Sequence, residues 1–206
     1  TETGASTVVT FANGSSTVTK TVTGTGAAQA VQLTTADLTA LGDGAISVSA
    51  IATDAAGNAS SADTASFTLD TSAPNQPSGP TSYADDVGSI TSTASTAATT
   101  DDTTPGVQVG AGLTDTPNLY VNGLKVNATY NSTTGTLTPI TALNAGTYNL
   151  TYTLTDAAGN ESAQSPALNL TVDTNLPTLT IGSIAGDAAG ATGNGIYDGA
   201  ERGSAP

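Results

Sequence analysis

The side chains able to do chemistry in this chain are carboxylates and amides. Asp70, Asp85, Asp86, Asp101, Asp102, Asp156 and Asn160 form one set, and Asp173, Asp187, Asn194, Asp198 and Glu201 a second, later one. Hard oxygen donors of this kind bind hard cations, and Ca²⁺ tolerates irregular oxygen geometry best. Little other chemistry is open. There is no His and no Cys, so a Cys nucleophile, His acid–base catalysis and soft-metal ligation are excluded and no enzymatic activity is expected. A glycosidase needs two carboxylates facing each other in an aromatic-lined cleft, whereas the chain has 6 Tyr, 2 Phe and no Trp. Seventeen acidic residues against 3 basic give a net charge of −14. That charge argues against a nucleic-acid partner, which needs Lys and Arg, and against anionic membrane surfaces. No run of about 18 apolar residues is present for insertion into a membrane. A secretion signal, if the protein is exported, is expected outside this sequence.

A repeat must position these acids. The hexapeptide Thr53-Asp54-Ala55-Ala56-Gly57-Asn58 returns intact as Thr155-Asp156-Ala157-Ala158-Gly159-Asn160. Each copy is followed by a second shared element, Leu69-Asp70-Thr71-Ser72-Ala73-Pro74 and Val172-Asp173-Thr174-Asn175-Leu176-Pro177. Asp54 and Asp156 lie 102 residues apart, and Asp70 and Asp173 lie 103 apart. Two markers holding one offset imply that a whole module repeats, the signature of a stacked array.

The modules read as β-structure. Thr, Val, Ile and Tyr dominate alternating runs, which suits half-buried strands. Strands are expected at 7–11, 17–23, 29–33, 45–53 and 61–70, with a helical turn from Ala36 to Leu41 capped by Thr34 or Thr35. In the second module they are expected at 106–110, 118–122, 124–130, 136–140, 146–155 and 163–172. Asn13-Gly14 and Asn122-Gly123 signal tight hairpins. Residues 81–104 carry few large apolar groups, and of these Tyr83, Val87 and Ile90 are expected to pack. Lys20 and Lys125 are expected to face solvent. About seven short strands per 100 residues indicate tandem immunoglobulin-like β-sandwiches stacked end to end, an all-β fold. The expected division is a module at 1–73 lacking its first strands, a complete module at 74–177, and the opening of a further module at 178–206. Either these boundaries fall inside a longer array, or the tail completes the head of a neighbouring chain by strand addition.

The Thr-Asp-Ala-Ala-Gly-Asn hairpin, the Asp-Thr-x-x-Pro junction and the Asp101-Asp102-Thr103-Thr104-Pro105 segment resemble the bacterial Ig-like repeats of giant biofilm-associated and RTX-type, type I-secreted surface adhesins. The resemblance covers nearly the whole chain and is specific to the repeat class. It implies export to the bacterial cell surface, an extender role in adhesion and biofilm formation, and Ca²⁺ at module junctions. Neighbouring repeats of the same chain would be the immediate partners. A host or biofilm surface ligand would be met through other domains. The alternative is a module that itself grips a glycan or protein, which low aromatic content disfavours.

In stacked sandwiches, the first set of acids is expected to meet at one junction. Asp70 would lie at the exit of module one, Asp156 and Asn160 on the facing hairpin, and Asp85, Asp86, Asp101 and Asp102 on the same side. So many carboxylates repel unless a cation neutralises them. Taken singly, Asp54 and Asp156 read as turn residues, because Asp caps local N–H groups and Gly or Asn accepts positive φ. In the tail, Asp187, Asn194, Asp198 and Glu201 line a Gly-rich loop. It would either wrap one Ca²⁺ with help from Asp173 or stay a plain acidic loop.

Overall fold

The computed structural model describes residues 2–179. The chain divides into two compact units, Thr1–Asp173 and Thr174–Pro206. The first unit holds one four-stranded sheet and, after it, a two-sheet sandwich.

The four-stranded sheet is built from β1 (Ser6–Asn13), β2 (Ser16–Thr23), β3 (Gly44–Thr53) and β4 (Asp63–Leu69), in the order β2-β1-β3-β4. All its pairings are antiparallel. Strict alternation sends Val9, Phe11 and Ile46 inward, while Thr17, Thr19, Thr21 and Thr23 line the opposite face. A single short helix, α1 (Thr35–Leu41), covers part of the inner face. Thr34 and Asp37 start it with a reciprocal capping box, which satisfies two otherwise orphaned donors. The core here is small: Val9, Phe11, Leu41 and Ile46 are buried, with Val18, Val31, Leu33 and Val48 packed around them.

Three sequence expectations change in this sheet. Residues 29–33 form no strand; Val31 and Leu33 pack on the core from an irregular segment leading into α1. The first hairpin turns on Gly14-Ser15, since Asn13 pairs with Ser16. The Asn13 amide instead reaches across to donate to the carbonyls of Leu41 and Gly42, at 3.1 and 3.2 Å. Lys20 stands opposite inward-facing Val9 and pairs with Asp37 at 2.6 Å. Its position beside α1 turns it from solvent to a helix-docking contact.

The sandwich has two five-stranded sheets. One runs β10 (Leu124–Val126), β9 (Thr116–Val121), β13 (Gly146–Thr155), β14 (Leu168–Val172), β7 (Thr99–Thr100). The other runs β11 (Ala128–Asn131), β12 (Thr136–Pro139), β8 (Gly106–Gln108), β5 (Tyr83–Asp85), β6 (Ser92–Ser95). Tyr83, Val107, Leu119, Leu137, Leu150, Tyr152 and Leu170 fill the space between them. All but Tyr83 are inward positions of the alternating runs, and Asn122-Gly123 makes the expected turn with φ of 51° and 81°. The run 124–130 breaks at Asn127, where the chain leaves one sheet for the other. Residues 81–104 supply three strands, β5, β6 and β7, that were not expected there. Of the three apolar residues expected to pack there, only Tyr83 does; Val87 and Ile90 are exposed. Lys125 is solvent-facing, as expected, 3.6 Å from Glu161.

The first sheet repeats one sheet of the sandwich strand for strand. β2, β1, β3 and β4 correspond to β10, β9, β13 and β14 in order and direction. The counterpart of β7, and of the whole covering sheet, does not occur among the described residues before β5.

Candidate functional site

Both copies of the repeated hexapeptide fold into the same closed turn. In the first, Asp54 Oδ1 accepts from the N–H of Ala56 at 2.9 Å and of Asn58 at 2.8 Å, and Oδ2 accepts from Asn58 Nδ2 at 2.8 Å. In the second, Asp156 does the same with Ala158, Asn160 and Asn160 Nδ2 at 2.9, 2.9 and 3.0 Å. Gly57 and Gly159 take φ of 92° and 96°, a region open to Gly at little cost. The Asn side chains and these backbone donors hold both carboxyl groups below the usual carboxylate range. The turn therefore accounts for both oxygens of each Asp.

The second turn also serves the junction between sheet and sandwich. Asn160 Nδ2 donates to the Asp70 carbonyl at 3.1 Å, just past the end of β4. The following linker is held twice more. Asp43, in the loop after α1, accepts from Thr71 N–H and Thr71 Oγ1 at 2.7 Å each and from Ser72 Oγ at 2.6 Å. The Ser72 hydroxyl, then Thr71, hold the Asp43 carboxyl below its ordinary range. Gln76 Nε2 donates to the Gln164 carbonyl at 2.6 Å. At Gly79 a Cβ would sit 2.9 Å from the Pro166 carbonyl oxygen, so only Gly lets the linker lie this close. Sequence reasoning singled out none of Asp43, Gln76 and Gly79. Their partners are remote in sequence, and no local motif marks them.

The acids expected to meet at this junction divide in two. Asp70, Asp156 and Asn160 do lie there, at the pole where β13 turns back toward β14. Asp85, Asp101 and Asp102 lie at the opposite end of β14, beside Asp173, and Asp86 stands near Asp102. The cause is the parallel pairing of β7 with β14, which aligns Thr100 with Val172. Asp101 and Asp102 follow β7 as Asp173 follows β14, and Asp173 N–H donates to the Thr100 carbonyl at 2.8 Å. Asp85 joins them by accepting from Thr100 Oγ1 at 2.7 Å. Asp85, Thr100, Asp101 and Asp173 line one cavity, and Asp86 and Asp102 line another.

Asp102 is the unusual member of this group. It is 1% exposed. Oδ1 accepts from Thr104 N–H at 2.7 Å, but Oδ2 is buried with no hydrogen-bond partner. Burial, seconded by the charges of Asp86 and Asp85, raises its pKa against the opposing pull of Thr104. An orphaned anionic oxygen among like charges is a donor suited to a hard cation. Among the described residues, no three acidic side chains converge closely enough to form a ready-made metal centre. Asp187, Asn194, Asp198 and Glu201 lie outside the described residues.

A third polar cluster braces the sandwich edge. Glu161 accepts from Thr153 Oγ1, from Tyr120 OH at 2.8 Å, and lies near Lys125. These contacts, Thr153 first, lower the Glu161 pKa, while Glu161 raises that of Tyr120.

Two facing sheets, a tightly filled interior and an early strand, β7, laid parallel beside the last define an immunoglobulin-like sandwich. Residues 77–174 match the family described as the bacterial Ig-like domain. The matched residues cover the sandwich. No curated protein matches the chain. Among solved structures, one concerned with host cell surface retention of a 1.5-MDa bacterial ice-binding adhesin is similar at 22% identity and a TM-score of 0.33. The match covers 84% of this chain and 55% of that one. A second, of a tetra-tandem repeat in the extending region of a large adhesion protein, is similar at 19% identity and a TM-score of 0.27, covering 84% of this chain and 42% of that one. The present chain thus spans about half the length of each. Among the described residues no helix is long and apolar enough to cross a membrane.

Proposed function

We propose that the chain is an extender segment of a large bacterial cell-surface adhesin, exposed outside the cell and supporting adhesion and biofilm formation. It holds a distant adhesive part away from the surface and performs no catalysis. The observation that carries this reading is the hydrogen-bonded junction. A module that transmits position must not swing on its neighbour, and here Asn160, Asp43 and Gln76 tie the linker at three places. The 102-residue repeat supplies the serial unit.

Ca²⁺ has its place in the same reading at the Asp85, Asp86, Asp101, Asp102 and Asp173 pole, where the chain leaves the sandwich. Neutralising those carboxylates would stiffen the next connection, while hydrogen bonds to Asn160 and Asp43 tie the Asp70 junction. Small-angle scattering on the chain and on Asn160→Ala with Gln76→Ala tests the extender role. The variant should show a broader range of maximum dimensions. Superimposable curves would mean that the linker contacts do not set the inter-module angle, and the reading would fall. Titration calorimetry with CaCl₂ tests the ion, and heat that is absent for wild type at millimolar Ca²⁺ removes it.

A second reading has one observation in its favour. Ser82, Thr93, Thr104, Gln108, Thr134 and Thr138 help line an open groove of about 760 Å³ ending at Asp86 and Asp102, a surface of hydroxyls able to meet a glycan. A glycan array with specific, Ca²⁺-dependent hits lost on Asp86→Ala would favour it over the spacer.

A further inference from the structure

We propose that the groove on the outer face of the sandwich's second sheet takes a linear amino sugar whose free amines are protonated. The proposal names the ligand class for the glycan reading of that groove and rests on that reading. The groove follows from strand alternation. Tyr83, Val107 and Leu137 point into the core, so their neighbours Ala84, Gly106, Thr136 and Thr138 face outward. At about 760 Å³ the groove falls within the range of about 300–1,000 Å³ usual for ligand sites. Its floor is shut. A Cβ on Gly106 would lie 3.2 Å from Thr138 Oγ1 and 3.3 Å from the Ala84 Cβ. A peptide therefore finds no slot there for its side chains, and a sheet face offers no unpaired backbone for strand addition. A flat sugar chain needs neither.

The lining selects the charge of that chain. Among the described residues that form it there is no aromatic ring, and the charged side chains are Asp86 and Asp102. Without a ring to stack on, a neutral sugar has hydroxyl contacts alone, and each of these replaces a bond to water for little net gain. An anionic sugar is repelled. A protonated amine makes a charge-assisted bond, about twice as strong as a neutral one. Asp102 separates this end of the groove from an ordinary acidic surface. Its side chain is 1% exposed, and Oδ2 has no hydrogen-bond partner. Asp86 stands exposed at the same end, open to a ligand. The protein brings no cation of its own to them among the described residues: Lys20 pairs with Asp37 and Lys125 lies near Glu161. The positive charge this end lacks is what an amino sugar carries.

Titration calorimetry in chelator tests this with two probes at mildly acidic pH. One is a chitosan tetramer, with free amines. The other is the matching chitin tetramer, with every amine acetylated. The chitosan tetramer should bind at least about 10-fold more tightly, and added salt or Ca²⁺ should weaken it. Asp86→Asn should weaken it about 10-fold. Asp63→Asn, which removes the same charge from the N-terminal sheet, should leave it unchanged. Both residues are exposed, so both variants keep the fold. Equal binding of the two tetramers overturns the proposal and leaves the glycan reading standing. Binding that appears only on adding Ca²⁺ does the same, since the ion would then bridge sugar hydroxyls. Equal losses in the two variants overturn it as well, because net charge rather than the groove would hold the sugar. No heat with either tetramer overturns it too, and the glycan array then decides the wider reading.

Discussion

Replacing Asp102 by Asn should stabilise the sandwich without Ca²⁺ and destabilise it with Ca²⁺. The starting point is Oδ2, buried and unpartnered, with Asp85 and Asp86 adding repulsion. A buried polar atom left unpaired costs about 1–3 kcal/mol, more when charged. Asn keeps an oxygen for the 2.7 Å bond from Thr104 N–H and removes the charge. A gain of about 1 kcal/mol is expected at neutral pH in chelator. For a domain of about 100 residues that raises Tm by roughly 4–8 °C. The pH dependence has a definite sign. The folded pKa of Asp102 is raised, so the ionised form weakens the fold. Wild type in chelator should gain stability as pH falls from neutral toward the ordinary carboxylate range, and this component should vanish in the variant. In Ca²⁺ the order should invert if the proposed ion binds at Asp102, because wild type would then gain about 2.7 kcal/mol at 100 times its Kd while the variant would lack a ligand charge. Calorimetric melting in chelator and in millimolar Ca²⁺ reads all of this. A variant that melts lower in chelator, or equal Ca²⁺ shifts in both proteins, refutes the reasoning.

Three further outcomes follow from other parts of the structure. Leu170→Ala should cost about 3 kcal/mol by leaving a cavity in the sandwich, whereas Phe67→Ala should cost under about 1.5 kcal/mol because much of that ring is already wet; urea melts compare the two. Gly135→Ala should cost at least about 2 kcal/mol, since φ is 74° and the new Cβ would meet Ala111 N and Gly110 C at 2.6 Å; a melt within error of wild type contradicts this. Asp37 has its pKa lowered to about 2, first by Lys20 and then by the Thr34 cap. Its contribution is present above the ordinary value of 3.8 and lost as pH falls through about 2. Circular dichroism of Asp37→Asn should therefore lack that part of the acid unfolding limb.

What could be read from the sequence was what the sequence closes locally. The Asp54 and Asp156 turns need only their own five residues, and Thr34 needs only the next turn of helix, so both were legible. Alternation located Leu119, Leu150 and Leu170 in the core because a strand's two faces differ by a period of two. Contacts made across distance left no such mark. Thr99 and Thr100 are small polar residues with no turn or periodic signal, yet their parallel alignment with β14 decides which acids are neighbours. That one pairing moved Asp85, Asp86, Asp101 and Asp102 from the junction with the first sheet to the far pole. Asp43 is likewise silent in sequence, since what it holds lies 28 and 29 residues on.

The parallel pairing of β7 and β14 has a mechanical consequence. Tension arriving from the C-terminal side reaches β14 along its own axis. The Thr171-to-Ala98 and Asp173-to-Thr100 hydrogen bonds, at 2.9 and 2.8 Å, lie beside that axis and join it to β7. Pulling therefore shears them, and β14 cannot peel away one bond at a time. The antiparallel ladder to β13, from Gly146↔Val172 to Leu150↔Leu168, is loaded in shear on the other side. A strand clamped on both flanks gives way only when both rows yield together, so the sandwich resists load as a unit up to a threshold and then opens abruptly.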